Sequence, residues 1–307
     1  MTIGSFALYG LSLLVVLTIA AWIVKRVAVV VAPSDYAYVL KTAPLTAWFG
    51  IVVIFIYVML AVLAPAFAPF SETAIVASEY EPWGAPYYLG TDSLGRDMLS
   101  RLIFAARNTV GIAFLTTLLA FFLGGLMGLL ASTLGGWIDQ VFSRAVDVLM
   151  AIPQLIFALL LLTIVGTNIV NLILVIAVLD STRVYRLSRA VAMNVVVMDY
   201  VEAAKLRGEG LGWLIRREIL PNITAPLIAE FGLRFCFVFL TISALSFLGL
   251  GIQPPTADWG SMVRDNATLI TFGDPTPLMP AAAIALLTVA VNFVVDWMLH
   301  RSSGLKD

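Results

Sequence analysis

The chain has 307 residues, of which 61% are apolar and 12% are charged, and its formal net charge is −1. Soluble domains carry about twice that share of charge, so a chain this apolar is expected to lie in lipid. The balanced charge argues against a nucleic-acid partner. A single cysteine excludes an internal disulfide, and with one histidine it argues against a Cys/His metal site.

The first apolar run starts at the N-terminus. Residues Met1 to Val24 carry no charge, and the basic pair Lys25 and Arg26 follows the run instead of preceding it. A secretory signal has the opposite order and ends at a small-residue cleavage site. We therefore interpret residues 1–44 as an extra N-terminal transmembrane helix, retained as an anchor, and a cytoplasmic linker.

Seven apolar runs are long enough to cross a bilayer, because a spanning helix needs about 20 residues. Their pattern is continuous and not alternating, which favours helices over a barrel. The predicted fold is therefore an all-α membrane bundle with its transmembrane domain in residues 45–307. The runs are approximately Phe6–Val24, Leu45–Ala66, Val110–Leu134, Val148–Val165, Ile169–Ala190, Pro226–Leu250 and Leu278–Leu299.

The distribution of lysine and arginine predicts the orientation, since these residues concentrate in cytoplasmic loops. With the N-terminus outside, seven crossings place most of them inside, including Arg144, Arg216 and Lys306. The C-terminus then lies in the cytoplasm. Two connections are unusually long, an external loop at 69–108 and a cytoplasmic loop at 191–225, and long connections usually have a function.

The cytoplasmic loop has the composition of two short helices. Asp199 to Arg207 favours a helix, Gly208 allows a turn, and Leu211 to Leu220 predicts a second helix whose continuation Pro221 discourages. Such a pair would form a compact knob at the membrane surface. The apolar residues expected to face a partner are Ala203, Leu206, Leu211 and Leu214.

Part of this loop resembles the EAA loop of bacterial ABC importer permeases. The resemblance rests on Glu202-Ala203-Ala204, Gly208 and Leu220-Pro221. It implies that the loop, with Leu211, docks in a groove on a cytoplasmic ATPase and couples ATP use to transport. The alternative is an amphipathic loop that rests on lipid head groups. One departure is Glu218, where the family often has histidine.

The external loop mixes turn residues with charges in the stretch Gly90, Thr91, Asp92, Ser93, Leu94, Gly95, Arg96 and Asp97. We expect Asp92 or Ser93 to cap the following helix, and a salt bridge to close the loop. Direct contact with solute or with a binding protein are the alternatives.

Two stretches resemble signatures of the C-type subunit of the dipeptide/oligopeptide/nickel permease family. They are residues 89–101 and residues 245–256 with Trp259-Gly260, and the resemblance covers about residues 45–307. It implies the type I ABC importer fold in a bacterial inner membrane. It also implies a B-type permease as heterodimer partner, two ATPase subunits and an extracytoplasmic solute-binding protein. Ser243 departs from the family, which is often acidic there.

Several polar residues fall within predicted spans. Glu230 and Arg234 lie four residues apart, so they can pair on one helix face. The pair either joins helices or forms a polar patch that meets charged peptide termini. Three residues at the end of the fifth span, Arg183, Arg186 and Arg189, are expected to snorkel to lipid phosphates, with a role in substrate release as the alternative. Gly124 and Gly128 have the spacing of a close helix contact.

The chain has no phosphate-loop motif and no nucleophile–base set, so it is not expected to be an enzyme by itself. The resemblance implies that ATP and Mg²⁺ bind the partner ATPases, and that transport uses alternating access. Dipeptides or oligopeptides are the expected solutes, with nickel chelates, glutathione or another small solute as alternatives. Different classes remain open, an ion-coupled secondary transporter or a non-transporting scaffold, and copurification of ATPases separates them.

Overall fold

The computed structural model describes residues 3–31, 33 and 39–302. Parts of the predicted linker and the basic residue Lys306 lie outside the described residues. Within them the fold is helical, and extended pairing is limited to isolated bridges within residues 75–97. The helices are α1 (Ile3–Val31), α2 (Leu45–Phe67), α3 (Met98–Ala105), α4 (Gly111–Leu134), α5 (Gly136–Met150), α6 (Gln154–Val165), α7 (Ile169–Val196), α8 (Asp199–Leu206), α9 (Leu211–Trp213), α10 (Leu220–Phe247), α11 (Trp259–Asn266) and α12 (Leu278–Ser302).

Five helical segments in the described part of the chain are long and apolar enough to cross a membrane. They confirm an all-α membrane protein, and they match five of the seven predicted spans. Two of them start much earlier than predicted, because a π-helical turn at Ala106–Val110 joins α3 to α4 and another at Leu214–Ile219 joins α9 to α10. The segments are Ile3–Val31, Leu45–Phe67, Met98–Leu134, Leu211–Phe247 and Leu278–Arg301.

The fourth predicted span is not one straight helix. Helices α5 and α6 meet at an 88° bend, so they form at most one broken span. Pro153 lies at the bend and disfavours helical backbone at the residue before it, which explains the break. The fifth predicted span is the 28-residue α7, but the charged side chains from Asp180 onward make it less apolar than the other five.

The second short helix of the 191–225 loop is predicted to end near Pro221, but in the structure it continues past this residue. The chain is helical from Leu211 through Phe247. A proline ring clashes with the carbonyl four residues earlier, and the π-helical turn at Leu214–Ile219 lies at that place. The wider turn accommodates Pro221, so the helix continues.

The chain divides into two compact units. The first consists of Met1–Ile112 and Phe239–His300. Its interior is built around Trp259, whose ring packs edge-on against Tyr57 and Phe239 with centroids 5.6 and 6.1 Å away. The Trp259 indole N–H donates to the Leu102 carbonyl at 3.1 Å, so the one polar atom of the ring is paired.

The second unit consists of Ala113–Val238 and Arg301–Asp307. Close packing of α4 on α7 confirms the interpretation of the glycine pair. A Cβ on Gly124 would overlap the Ser181 carbonyl oxygen, and a Cβ on Gly128 would lie 2.8 Å from the Ser188 Cβ. Only glycine allows this approach of the two backbones.

Helix α1 is peripheral within the first unit. Among its side chains only Leu17 and Ala21 are buried, whereas most of its large apolar side chains are exposed. A helix that is apolar on all sides and little buried by protein is suited to lipid. Whether residues 1–44 form a separate segment from a 45–307 domain stays a prediction.

Candidate functional site

The stretch that resembles the EAA loop forms an elbow, defined here as residues 199–221. Helix α8 ends after Leu206, and Gly208 has φ +81°, a left-handed conformation that favours glycine. The Gly208 N–H donates to the Lys205 carbonyl at 2.9 Å, and the Glu209 N–H donates to the Ala204 carbonyl at 3.2 Å. These hydrogen bonds close the corner, and α9 starts three residues later.

One side of the elbow is packed into the second unit. Val201, Ala204 and Ile219 are fully buried, and Leu214 is 5% exposed. They belong to a single apolar cluster, whose other buried members are Leu129, Ala192, Val195 and Ile223. The elbow is therefore fixed to the ends of α4 and α7 by side-chain packing, and movement of the elbow would require those contacts to move with it.

The other side of the elbow is exposed. Leu206 is 84% exposed, and Glu202, Ala203 and Gly208 also lie at the surface. The prediction that Leu214 faces a partner is wrong, because it lies in the buried cluster. Ala203 is exposed while its neighbour Ala204 is buried, because successive residues of a helix point to different faces. Leu211 and Leu220 are half-buried and Pro221 is exposed.

The external-loop motif is a buried charge cluster in the first unit. The Asp92 carboxylate lies 2.7 Å from the Arg96 guanidinium and 3.3 Å from that of Arg101. It also accepts from the backbone N–H groups of Leu94 and Arg96. This confirms the loop-closing salt bridge. All three charged side chains are almost fully buried, and Asp92 is the shared partner of both arginines.

The cap of the helix after this loop is Asp97, and the expectation of Asp92 or Ser93 was wrong. The Asp97 carboxylate accepts from the Ser100 N–H and hydroxyl, at 2.7 and 2.6 Å. The sequence places Asp97 directly before α3, which is the N-cap position. Asp92 lies too far upstream and is already engaged by arginine.

The motif's small residues are also structural. The Thr91 hydroxyl accepts from the Glu81 N–H and donates to the Ser78 carbonyl, both at 2.8 Å. Gly90 and Gly95 have φ of +70° and +71°, and a Cβ at either position would overlap a carbonyl oxygen, that of Glu81 or of Ala77. Six residues of the predicted motif are thus used to fold the loop: Gly90, Thr91, Asp92, Gly95, Arg96 and Asp97.

The second signature stretch lies against the same part of the first unit. The Asp258 carboxylate caps α11 through the Ser261 N–H and accepts from the Thr109 hydroxyl at 2.8 Å. Burial raises the pKa of this carboxyl above its ordinary value, against the hydrogen bonds that lower it. Glu72 accepts from the Asn108 side chain and from the Ala257 N–H. We call residues 89–101 and 245–260 together the signature cluster.

Ser243 belongs to the interior of this unit. It is buried, and its hydroxyl donates to the Phe239 carbonyl at 2.9 Å within α10. A Cβ on Gly260 would overlap the Ser243 carbonyl oxygen. Glycine at position 260 therefore allows α11 to pack closely against this turn of α10.

The pair Glu230 and Arg234 extends into a polar cluster that sequence analysis did not find. The two side chains lie 2.7 Å apart, as predicted. Arg234 also lies 3.8 Å from Asp180, a fully buried carboxylate on α7. Asp180 further accepts from Gln154 at 2.7 Å and pairs with Arg183 at 3.3 Å. The cluster joins α6, α7 and α10, and its two acids balance its two arginines.

Each of the three arginines at the end of α7 pairs with an acidic side chain. Arg183 pairs with Asp180, and Arg186 pairs with Asp147 at 2.6 Å. Arg189 binds Asp139 through two nitrogens. Helix α5 presents an acid to each of the last two arginines, which the snorkelling prediction did not include, and contact with lipid phosphates stays a prediction. The signal was present in the sequence, since the two acids of α5 lie on one amphipathic helix.

Comparisons with known proteins agree with this architecture. The family described as "Binding-protein-dependent transport system inner membrane component" matches residues 120–303. The dipeptide transport system permease protein DppC of Haemophilus influenzae is 34% identical over 265 residues, covering 84% of this chain and 88% of that protein. The di/tripeptide transport system permease protein DppC of Pseudomonas aeruginosa is 34% identical, covering 84% and 85%.

A more divergent relative and a solved structure extend the comparison. The glutathione transport system permease protein GsiD of Pectobacterium atrosepticum is 31% identical, covering 72% of this chain and 71% of that protein. A crystal structure of an amino acid ABC transporter with histidines has a TM-score of 0.50 at 20% identity, covering 66% of this chain and 94% of that chain, and it supports the fold alone. The chain belongs to the family of inner-membrane components of binding-protein-dependent transport systems, and it is a multi-pass permease of an ABC importer.

Proposed function

We propose that this permease imports dipeptides and short oligopeptides together with separate ATPase subunits that grip its elbow. The observation that carries the coupling proposal is the two-sided structure of the elbow: Ala204 and Leu214 are buried, while Ala203 and Leu206 are exposed. An exposed apolar side chain such as that of Leu206, on an elbow that is held by a buried apolar cluster, is suited to contact with a protein partner. The peptide substrate is supported by the relatives, which are permeases for dipeptides and for di/tripeptides.

The proposed assembly follows the family. This chain pairs with a B-type permease, and two ATPase subunits bind ATP and Mg²⁺ on the cytoplasmic side. A solute-binding protein delivers peptide outside. Closure of the ATPases draws the elbows of the two permeases together and opens the bundle outward, and hydrolysis resets it. Glutathione is the second candidate solute, because GsiD is also similar over most of its length.

The orientation belongs to the proposal as well. We infer that the N-terminus lies outside and the C-terminus in the cytoplasm, with loop 69–108 external and the elbow cytoplasmic. Single cysteines test this on a Cys236→Ser background, since Cys236 is the only cysteine and is buried. An impermeant maleimide added to right-side-out vesicles should label Leu94→Cys and spare Leu206→Cys. The reverse pattern would remove the elbow from the ATPase side.

Copurification and uptake test the coupling. The complete importer is purified with Leu206→Glu or with Leu94→Glu, two exposed leucines in the elbow and in the external loop. We expect Leu206→Glu to lose most of the copurified ATPase and the ATP-driven uptake of radiolabelled dipeptide into proteoliposomes. Leu94→Glu should retain the ATPase. Full ATPase content and full uptake in Leu206→Glu would sink the proposed role of the elbow.

The substrate is tested separately, on the cognate solute-binding protein. Dipeptides, tripeptides and glutathione are titrated calorimetrically, and the same compounds are offered to the reconstituted importer. The proposal expects micromolar or tighter binding of unmodified short peptides and their uptake. Tight binding of glutathione without any peptide binding would replace the peptide proposal and leave the coupling proposal intact.

For Glu230 and Arg234 we propose a structural role, that of joining α10 to α7. The balance of two acids and two arginines around Asp180 supports it, because each charge has a partner within the cluster. A pathway for charged peptide termini is the alternative. If the pair is structural, Arg234→Met should lower the thermal stability of the complex. If Arg234 lines the pathway, the same substitution should change the preference of the importer between peptides with blocked and with free termini.

A further inference from the structure

An apolar groove runs along the peripheral helix α1. Its cavity volume is about 610 Å³, and its walls come from α1, the start of α2 and the middle of α12. Gly10, Leu14 and Thr18 form the wall on α1, and Ala285, Leu286 and Phe293 lie on α12. All these residues belong to the first compact unit.

The lining decides what the groove can hold. Among the described lining residues, Thr18 and Thr46 carry polar side chains and the others are apolar. The Thr18 hydroxyl already donates to the Leu14 carbonyl at 2.8 Å. Because water in a cavity needs two to four polar partners, this lining favours an apolar occupant.

The groove is long enough for an extended hydrocarbon chain. From Ala282 to Phe293 the α12 wall rises about 16 Å. An acyl chain fits along this wall.

Positive charge marks one end of α1. The Arg26 guanidinium stacks on Trp22 at 5.1 Å from the ring centroid and remains exposed. Lys25 donates to the Ala43 carbonyl at 2.6 Å, which holds this end beside the start of α2. Tryptophan and basic residues are typical of the level of the lipid head groups. The groove begins at Thr18, about two helical turns from Arg26 toward the N-terminus of α1.

We propose that this groove is a phospholipid site, in which one acyl chain lies along α1 from Thr18 toward Gly10 and the phosphate meets Arg26. The lipid fills the space between the extra N-terminal helix and α12, so it stabilises the attachment of α1. Anionic phospholipids are preferred, because the basic end of α1 attracts negative head groups. The inference does not depend on the solute or on the ATPases.

Photo-crosslinking of the full importer tests the site. p-Benzoylphenylalanine is introduced at position 14, in the groove, or at position 16, where Val16 is exposed but outside the groove. The complex is washed in detergent to remove bulk lipid and is then irradiated. The mass of the permease subunit is measured by intact mass spectrometry. We expect a phospholipid adduct at position 14 and at least fivefold less at position 16.

Filling the groove provides the matched variants. Gly10→Leu adds volume from α1, where a Cβ meets nothing within 4 Å, and Ala285→Leu adds it from α12. Either variant, in a complex that still assembles, should lose most of the adduct. Arg26→Gln should keep the adduct and lower its anionic share. Equal adducts at positions 14 and 16, no adduct at position 14, or an adduct to a polypeptide there would each overturn the proposal.

Discussion

The signature cluster and the elbow both consist of residues that resemble family motifs, but they use those residues differently. In the signature cluster the charged side chains are buried and paired, as with Asp92 between Arg96 and Arg101. In the elbow the packing is supplied by Ala204 and its buried neighbours, while Glu202 and Leu206 are left at the surface. A motif can therefore preserve a fold in one region and present a surface in another, and substitutions distinguish the two.

The largest effect is expected at the centre of the signature cluster. Asp92→Ala leaves two buried guanidinium groups without their carboxylate, and breaking a buried pair in this way costs about 3–5 kcal/mol. We expect a large fall in the thermal unfolding midpoint of the purified complex and low abundance in the membrane. Leu94→Ala, at an exposed position of the same loop, serves as control and should behave as wild type. An unchanged midpoint in Asp92→Ala would show that the cluster is not structural.

Two left-handed glycines offer a direct contrast between the regions. Gly95→Ala would combine backbone strain with overlap of the Ala77 carbonyl, about 2–5 kcal/mol together. Gly208→Ala brings strain alone, about 1–2 kcal/mol, because a Cβ there meets nothing within 4 Å. The unfolding midpoint should therefore fall further for Gly95→Ala. Equal shifts would mean that the elbow is as tightly enclosed as the external loop.

Neighbouring alanines test the two faces of the elbow. Ala204→Leu forces a larger side chain into a fully buried position, at a cost of about 1–3 kcal/mol, whereas Ala203→Leu adds it at the surface. We expect Ala204→Leu to lower the unfolding midpoint and Ala203→Leu to leave it within error. Under the coupling proposal, Ala203→Leu should still weaken binding of the ATPase. A stable Ala204→Leu protein beside an unstable Ala203→Leu protein would reverse the two faces.

The sequence was sufficient for the class of fold and for five spans, because long apolar runs have few other structures available in lipid. It failed where tertiary contacts decide. Pro153 breaks a run that hydropathy alone joins, whereas Pro221 is accommodated by a π-helical turn. Composition cannot distinguish these two prolines, since the difference lies in the backbone geometry before each of them.

The charged residues show the same limit. The i, i+4 spacing was enough to predict the pair of Glu230 and Arg234, because helix geometry alone brings them together. Asp180 and Gln154 were missed, since their contacts depend on how α6, α7 and α10 pack. The partners of Arg186 and Arg189 could not be predicted for the same reason, because the acids that bind them lie on a different helix.

The smallest change in stability, and the sharpest test of the comparison, is expected at Glu202. This side chain is exposed in the first turn of α8, so Glu202→Gln should alter the unfolding free energy by no more than about 0.5 kcal/mol. Lys205→Gln, also exposed on this helix, is the matched control. If the exposed face of the elbow transmits ATPase movement, Glu202→Gln lowers peptide uptake per ATP hydrolysed severalfold, while Lys205→Gln changes it little. Equal uptake per ATP in Glu202→Gln, Lys205→Gln and the wild type would mean that the carboxylate has no part in coupling, whereas a loss of stability in Glu202→Gln would make it a structural residue like those of the signature cluster.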